Sequence, residues 1–270
     1  MQIRTASVRN IAGGLCLMGM VTGLPGVAMA KGGGACAGLP SHASLTAQLS
    51  AVVSAGGNAG LGNNMWATVV NRDGTVCAVT RSGALGDQWP GSRVISAQKA
   101  NTANSYSLEG DVTPGAGIAL SSGNLYGTVL EQGSLFGLQF SNPVDTTTAY
   151  WGNARKFGAP NDPMVGNRIG GVNVFGGGLA LYNEDGKLVG GLGVSGDTSC
   201  TDHVVAWKVR DGLLLDYVPG GVSATGDDNL NVAKPVTPES FEHPDCAVGV
   251  DVKPIIAGLP VNFPISQIPN

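Results

Sequence analysis

The four-residue pattern Asn-x-Asp-Gly stands twice in the chain, at residues 71–74 and 183–186, each time between two apolar runs. Asp-Gly tolerates the positive φ angles that tight hairpin turns need, so each pattern predicts a β-hairpin. A helical pattern follows each hairpin, over 92–108 and 201–216. Hairpins that alternate with helices predict an α+β fold in which helices cover an antiparallel sheet. The predicted strands are 65–70, 75–81, 178–182 and 187–194.

Two further helices are predicted outside these units. Residues 44–55 carry apolar side chains at helical spacing, with Ser41 or Ser44 available as the N-cap and a Gly-Gly pair after the last turn. A shorter helix is predicted over 121–131.

Two long segments lack clear periodicity. Residues 136–171 contain Phe136, Phe140, Tyr150, Trp151 and Phe157. A stretch of that length without regular structure predicts either a functional loop or a packed insertion. Residues 219–270 are rich in Pro, Asp and Val. They predict an irregular, extended tail that packs on the domain surface and forms no second domain.

The N-terminal segment, residues 1–30, has the pattern of an export signal. Arg4 and Arg9 precede an apolar run over 11–21, and a small-x-small sequence ends at Ala30. The run is too short and too rich in Gly to span the ~30 Å hydrocarbon core of a membrane. We therefore expect signal cleavage, a periplasmic or secreted protein, and no membrane insertion of the mature chain.

The mature chain keeps four cysteines, an even number in an oxidising compartment, which predicts two disulfides. No two of them lie close in sequence and there is no CxxC, so zinc and covalent haem attachment are disfavoured. Four cysteines allow three pairings, and the sequence alone does not choose among them. Our working prediction is Cys36–Cys77 and Cys200–Cys246. These bonds would tie the start of the mature chain to the first hairpin, and the tail to the last helix.

The charge of the chain excludes two classes of partner. The formal net charge is −4, and 13% of the residues are charged. Loss of the signal also removes Arg4 and Arg9, which makes the mature chain more acidic. Such an acidic chain lacks the basic patch that nucleic-acid binding requires. It also lacks the Lys/Arg cluster that binds anionic membranes.

Short motifs recur in an order that resembles one family. In chain order they are VVNRDG at 69–74, TRSGA at 80–84, QKANTA at 98–103, GGG at 176–178, GKLVG at 186–190 and GVSG at 193–196, followed by Asp202 and Ala206. Together they resemble the GlcG/HbpS-like family, which includes extracellular haem-binding proteins and the C-terminal domain of PduO-type proteins. The resemblance places a GlcG/HbpS-like domain at 31–218, between the signal peptide at 1–30 and the tail at 219–270.

The resemblance implies a profilin-like fold, with a five-stranded antiparallel sheet covered by helices. It also implies haem as a small-molecule ligand and assembly into homo-oligomers. The segment 136–171 is longer than the family's usual link, and Asn101 stands where relatives often carry a bulkier residue.

On the helix predicted over 92–108, Lys99, Thr102 and Tyr106 share one stripe. Haem needs an apolar slot, an axial ligand or close polar group, and cations for its propionates. The family's Lys-Ala-x-Thr-Ala pattern carries over onto Thr102 as the polar contact and Lys99 as a propionate partner. The same stripe also fits an ordinary solvent-facing surface, and the sequence leaves both interpretations open.

Three histidines, His42, His203 and His243, stand far apart without metal-ligand spacing. His203 is the best axial candidate because it follows the GVSG turn at a predicted helix start. The alternative is a helix-capping or hydrogen-bonded surface histidine.

Catalytic motifs are weak. Ser195 lacks the second glycine of a nucleophile elbow, since residue 197 is Asp. The glycine run at 176–178 lacks the Gly-Lys-Ser/Thr of a phosphate loop. We therefore predict no catalytic residues, and the family resemblance implies a haem-binding or haem-sensing module. An enzyme or carrier acting on a small organic acid is the alternative, and a structural secreted protein with an empty pocket is a third interpretation.

Overall fold

A computed structural model describes residues 34–110, 117–246 and 248–268, so the predicted signal peptide lies outside the described residues. The helices are α1 His42–Ala55, α2 Ser92–Tyr106, α3 Leu138–Ser141, α4 Thr146–Ala149, α5 Ser199–Gly212 and α6 Lys253–Asn262. The strands are β1 Trp66–Asn71, β2 Val76–Arg81, β3 Gly178–Tyr182, β4 Leu188–Ser195, β5 Asn231–Ala233 and β6 Glu242–Pro244. None of the helices in this part of the chain combines the length and apolarity needed to cross a membrane.

Four strands form one antiparallel sheet in the order β2-β1-β4-β3, so the fold is α+β. Both predicted hairpins are present, and β1 pairs with β4 in the middle of the sheet, with Val69 opposite Leu192. The expected fifth strand is not found among the described residues. The edge beyond β3 carries an isolated parallel bridge between Tyr182 and Asp216. Pro219 follows shortly after Asp216, and a proline has no N–H to continue a ladder.

One face of the sheet packs against α1 and α5, and α6 packs on α5; together they form the main core. Alternate side chains of each strand point to this face, because the side-chain period of a strand is two. Fully buried members of this core are Leu45, Leu49, Val69, Leu192, Val194 and Val205.

The opposite face is covered by α2, whose backbone comes very close to β4. A Cβ atom at Gly193 would lie 1.8 Å from the carbonyl oxygen of Ser96, and one at Gly191 would lie 2.2 Å from that of Ala100. Glycine is therefore required at these two strand positions, since any side chain would push the helix away. The glycine-rich sequence of β4 fixes where α2 sits.

Residues 136–171 form a packed insertion, which was one of the two predicted possibilities. The insertion contains α3, α4 and a 3-10 turn at Ala154–Lys156. It contributes to a second core on the α2 side of the sheet, whose buried members include Trp66, Val94, Ala149, Met164 and Ile169. The insertion is thereby fixed to β1 and α2.

The prediction of one α-helix over 121–131 is wrong. The structure has two short 3-10 segments there, Ser122–Leu125 and Gly127–Val129. Glycine disfavours a continuous α-helix. Both Gly123 and Gly127 are also in close contact with the tail, at Leu230 and Ser240 respectively.

The tail is less extended than expected. It contains the short parallel pair β5–β6 and the ten-residue helix α6. Ile256 and Leu259 of α6 are buried in the main core. The helix α6 was not predicted because residues 219–270 are rich in proline. Pro254 occupies the first turn, where a proline is tolerated, and Pro260 lies inside the helix close to its C-terminal end.

Two disulfides join Cys36 to Cys77 and Cys200 to Cys246, the pairing chosen as our working prediction. The first connects the segment before α1 to β2. The second connects α5 to the tail.

Candidate functional site

Lys99, predicted as a propionate partner, is fully buried. Its Nζ lies 2.6 Å from Asp202 Oδ2 and donates to the carbonyl oxygen of Val194 at 3.1 Å. The other carboxylate oxygen of Asp202 accepts from the backbone N–H groups of Gly196 and Asp197, at 3.1 and 2.9 Å. The pair therefore fastens α2 to the start of α5, through residues that lie in the family-like motifs.

The electrostatics of this pair follow from its burial. Burial raises the pKa of the Asp202 carboxyl to about 6, and the nearby Lys99 ammonium opposes that rise. Burial likewise lowers the pKa of Lys99 from its ordinary value, against the attraction of Asp202. Desolvation of two charges is the larger effect here, as expected for a buried ion pair.

Thr102, predicted as the polar haem contact, is also fully buried. Its hydroxyl donates to the carbonyl oxygen of Gln98 at 2.8 Å and accepts from the N–H of Asn173 at 3.0 Å. Tyr106 is half-buried and packs against a satellite cluster that includes Val172. Burial raises the pKa of Tyr106. The interpretation of this stripe as a solvent-facing surface is wrong for Lys99 and Thr102, because both side chains are fully buried. The Lys99 ammonium lies against Val194 and Asp202, and the Thr102 hydroxyl lies against Asn173.

His203 lies in the first half of α5 and has no exposed surface. The N-cap of α5 is Thr198, so the interpretation of His203 as a surface or capping histidine is wrong. Burial, and then the charges of Arg210 and His243, lower the pKa of His203 to about 3, which keeps the imidazole neutral. The other two histidines bond elsewhere: His42 Nε2 lies 2.9 Å from the Gly158 carbonyl oxygen, and His243 Nε2 lies 2.7 Å from Ser199 Oγ.

The four predicted site residues thus do not surround an open slot. Lys99, Thr102 and His203 each have 0% exposure, and only Tyr106 retains access to solvent. The polar groups of Lys99 and Thr102 already have protein partners. These residues do not fit haem in the arrangement described, since the macrocycle would first have to displace residues 172–174.

A second location has the open apolar surface that the stripe of Lys99, Thr102 and Tyr106 on α2 lacks. A surface cleft of about 400 Å³ lies where the insertion meets β1 and the start of α2. We call it the aromatic cleft; its principal lining residues are Trp66, Leu85, Pro90, Tyr150, Arg155 and Phe157. The volume falls within the range of small-molecule sites, about 300–1,000 Å³, which are mostly apolar with a few placed polar groups.

The walls of the aromatic cleft are held by α2 through Arg93. This buried guanidinium forms an ion pair with Asp162 and stacks on the Phe157 ring, 3.7 Å from its centroid. It also donates to the carbonyl oxygen of Ala149, the residue before Tyr150, at 2.8 Å. Arg93 therefore has a structural role: it positions Tyr150 and Phe157, the two aromatic residues of the insertion that line the cleft.

Gln88 lines the same cleft and is 4% exposed. Its side-chain N–H groups donate to the carbonyl oxygens of Ser82 and Ala84, which fixes the orientation of the amide. Its Oε1 is buried and has no hydrogen-bond partner among the described residues. A buried acceptor without a partner is unfavourable, so this oxygen is an unsatisfied polar atom beside the cleft.

A cleft of similar volume in the tail has different chemistry. It lies between β5 and α6 and is lined by both Glu242 and Lys253, with no aromatic side chain among its described lining residues. Nearby, Cys200, His243 and Cys246 bring three potential metal-ligand atoms within 4.8 Å of one another, but both sulfurs are joined in the disulfide. The cleft between β5 and α6 therefore lacks the aromatic walls of the aromatic cleft.

The family model described as "Haem degrading protein HbpS-like" matches residues 46–210, more than half of the chain. The chain therefore belongs to the HbpS-like family. The match spans the main sheet, α2, the insertion and most of α5, and it ends before the tail.

Solved structures resemble the chain at low similarity. A PduOC:heme complex is 21% identical with a TM-score of 0.41, over 62% of this chain and 88% of that chain. The Klebsiella pneumoniae protein ORFY is 21% identical with a TM-score of 0.40, over 63% and 88%. HbpS is 18% identical with a TM-score of 0.35, over 61% and 84%. A comparison with curated proteins finds no match. The family assignment rests on the family model.

The aromatic residues of the insertion were not predicted to form a site. Tyr150 and Phe157 were visible as aromatics in an irregular segment, and Arg155 lies between them. What the sequence could not show is that the insertion folds back onto Trp66 of β1.

Proposed function

We propose that this protein is an exported haem-binding or haem-sensing module. The observation that carries the proposal is the HbpS-like family match over residues 46–210, in a family whose description names haem. The α+β domain with its antiparallel sheet agrees with the fold that such a module requires.

The two disulfides support the exported location. Such bonds form and persist in oxidising compartments and are rare in the cytosol. Both cross-links join elements that are distant in sequence, with separations of 41 and 46 residues. A protein with two bonds of this kind is expected to mature outside the cytoplasm.

The domain arrangement remains a proposal of its own. We propose one domain over 31–218, with the tail 219–270 packed on it. Its support is the burial of α6 side chains in the main core and the ion pair of Arg210 with Asp228.

We also propose that the protein forms homo-oligomers. Its support is a set of large exposed apolar side chains on the insertion, including Phe140 at 84% and Trp151 at 69% exposure. Exposed apolar surface of this kind often marks interaction sites. Light scattering after size exclusion should give a mass of at least two chains, and a Phe140→Ser/Trp151→Ser variant should lower it. A monomeric wild type would overturn this part of the proposal.

The test of the main proposal is a spectroscopic titration of the purified, oxidised protein with ferric haem. We expect a saturable shift of the Soret band at about one haem per chain, and quenching of tryptophan fluorescence over the same range. A signal that grows linearly without saturation would contradict haem binding. In that case calorimetry with short hydroxy acids tests the carrier alternative.

A second arm of the titration tests degradation. The haem-loaded protein is followed over hours with and without an external reductant, with free haem as the control. A stable Soret band supports binding or sensing. Protein-dependent loss of the band with formation of ring-opened products would show that the function is degradation.

A further inference from the structure

We propose that haem binds in the aromatic cleft, with the Tyr150 phenol as its iron ligand and the Arg155 guanidinium as a partner for a propionate. This inference rests on the proposed function, because it names the site at which the proposed ligand binds. It replaces the α2 stripe as the expected location.

The first step is the shape and polarity of the cleft. Leu85 and Pro90 are exposed and supply apolar walls, and Trp66 and Phe157 form the floor. Trp66 is almost fully buried, and its indole N–H donates to the carbonyl oxygen of Trp89 at 3.1 Å. The floor is therefore fixed, and a flat apolar macrocycle would lie against the exposed walls above it.

The second step is the iron ligand. Tyrosine is an established protein ligand of haem iron, besides histidine, cysteine and methionine. Among the described residues that line the cleft, Tyr150 is the one from this set. It is 59% exposed, so its hydroxyl can turn toward a ligand without breaking the core.

The third step is charge. Haem carries propionates, and Arg155 is the cation that lines the cleft. A guanidinium can donate two parallel hydrogen bonds to one carboxylate, which adds geometry to the attraction. Lys156 is the next residue and is also exposed, but it does not line the cleft. The two neighbours therefore make a matched pair for mutation.

The fourth step is preorganisation. The backbone of Tyr150 ends α4, with its N–H donating to the carbonyl oxygen of Thr146 at 3.2 Å. The Asn153 side chain accepts from the Arg155 N–H at 2.9 Å and starts the 3-10 turn. Groups held on a fixed backbone lose less entropy when a ligand binds.

The experiment compares two ligands on five proteins. The ligands are ferric haem and iron-free protoporphyrin IX, which shares the ring and the propionates but offers no iron. The proteins are wild type, Tyr150→Phe with Tyr106→Phe as its matched control, and Arg155→Gln with Lys156→Gln as its matched control. Circular dichroism and thermal unfolding check that each variant folds.

We expect wild type with ferric haem to show the charge-transfer absorption and resonance Raman modes of an iron-bound phenolate. Tyr150→Phe should remove these signals and weaken ferric haem binding by about tenfold, while leaving the affinity for the iron-free porphyrin within about twofold. Arg155→Gln should weaken both ligands by about fivefold, since both carry propionates. Tyr106→Phe and Lys156→Gln should match wild type.

The outcomes separate this inference from the proposed function. If wild type binds haem saturably but Tyr150→Phe keeps the spectrum and affinity, the site assignment is wrong and the proposed function stands. The same holds if Tyr106→Phe has the larger effect. If wild type binds neither porphyrin, both the site and the proposed function fall.

Discussion

Lys99 was predicted to bind a haem propionate, but in the structure it stabilises the fold. Its ammonium group is buried against Asp202, and the pair joins α2 to α5 across the end of β4. Removing one partner of a buried ion pair leaves the other charge uncompensated, which costs far more than the net value of the pair. The family-like motifs around residues 98–103 and 193–202 are therefore explained by packing, without a ligand.

Replacement of Lys99 should reveal this structural role. We expect Lys99→Met to lower the free energy of unfolding by about 3–5 kcal/mol, because Asp202 is left buried without its cationic partner. The double variant Lys99→Met/Asp202→Asn should recover a large part of that loss, since it removes the unpaired carboxyl group. Urea unfolding of both variants checks this. An equal loss in the single and double variants would contradict it.

An exposed pair provides the control for this experiment. Arg168 and Asp73 also lie 2.6 Å apart, but both side chains are largely in solvent. Solvent screens such pairs, so Arg168→Ala should change the stability far less than Lys99→Met.

His203 should make stability depend on pH. Its pKa falls to about 3 in the folded protein, against an ordinary value of 6.5. Between these values the unfolded chain binds a proton that the folded chain excludes, so stability falls as the pH drops below about 6.5. The contribution is about 1.4 kcal/mol per pH unit for one proton.

Asp202 acts in the opposite direction, because its raised pKa lets the folded state hold a proton between 3.8 and about 6. Burial also lowers the pKa of His243, to about 4, so both histidines contribute in the same direction. A variant of His203 isolates its own contribution. His203→Leu should reduce the dependence of stability on pH between 5 and 6 by about one proton relative to wild type. Between pH 7 and 8 the two slopes should agree, and a wild-type slope retained in the variant at pH 5–6 would refute the assignment.

At the scale of elements, the glycines of β4 determine how α2 packs. A Cβ atom at Gly193 would lie 1.8 Å from a backbone oxygen of α2, which cannot move aside as a side chain can. We expect Gly193→Ala to cost about 3 kcal/mol or more, at the upper end of overpacking effects. A Cβ atom at Gly91, before α2, would meet no neighbouring atom within 4 Å, so Gly91→Ala should be nearly neutral. Thermal unfolding of the two alanine variants compares them directly, and similar midpoints would argue against close packing as the reason for the glycine.

Elements with a local signal were predictable from the sequence. The two hairpins depend on Asp-Gly turns, and Gly74 and Gly186 adopt the positive φ angles that the pattern predicts. The helix α1 has Ser41 as its N-cap, one of the two residues expected. Each of these features depends on a few adjacent residues, so the local sequence was enough to predict it.

The candidate site was less predictable because it depends on contacts between distant segments. A helical stripe identifies residues that share a face, but it does not show what covers that face. Thr102 is covered by Asn173, and Trp66 and Tyr150 line one cleft only because the insertion folds back on the sheet. No local pattern in the sequence encodes either contact.

At the scale of the whole molecule, the tail contributes apolar side chains to the main core and an ion-pair partner to α5. Arg210 of α5 is buried, and both of its terminal nitrogens donate to the Asp228 carboxylate, at 2.6 and 2.8 Å. Ile256 and Leu259 of α6 are buried in the main core, together with side chains of α1 and α5. A chain without the tail would lose apolar burial and leave a buried guanidinium unpaired.

We therefore expect a chain that ends at residue 218 to lose cooperative unfolding, because the unpaired Arg210 alone should cost about 3–5 kcal/mol. The control is Cys200→Ser/Cys246→Ser, which keeps the tail and removes only its cross-link. In the chain-entropy model a loop of this size contributes roughly 3–4 kcal/mol, so the double serine variant should unfold cooperatively at a lower midpoint. Circular dichroism and calorimetry of both proteins, and of residues 219–270 expressed alone, check the prediction. Cooperative unfolding of the truncated chain near the wild-type midpoint, or of the isolated tail, would show that the tail is a separate unit.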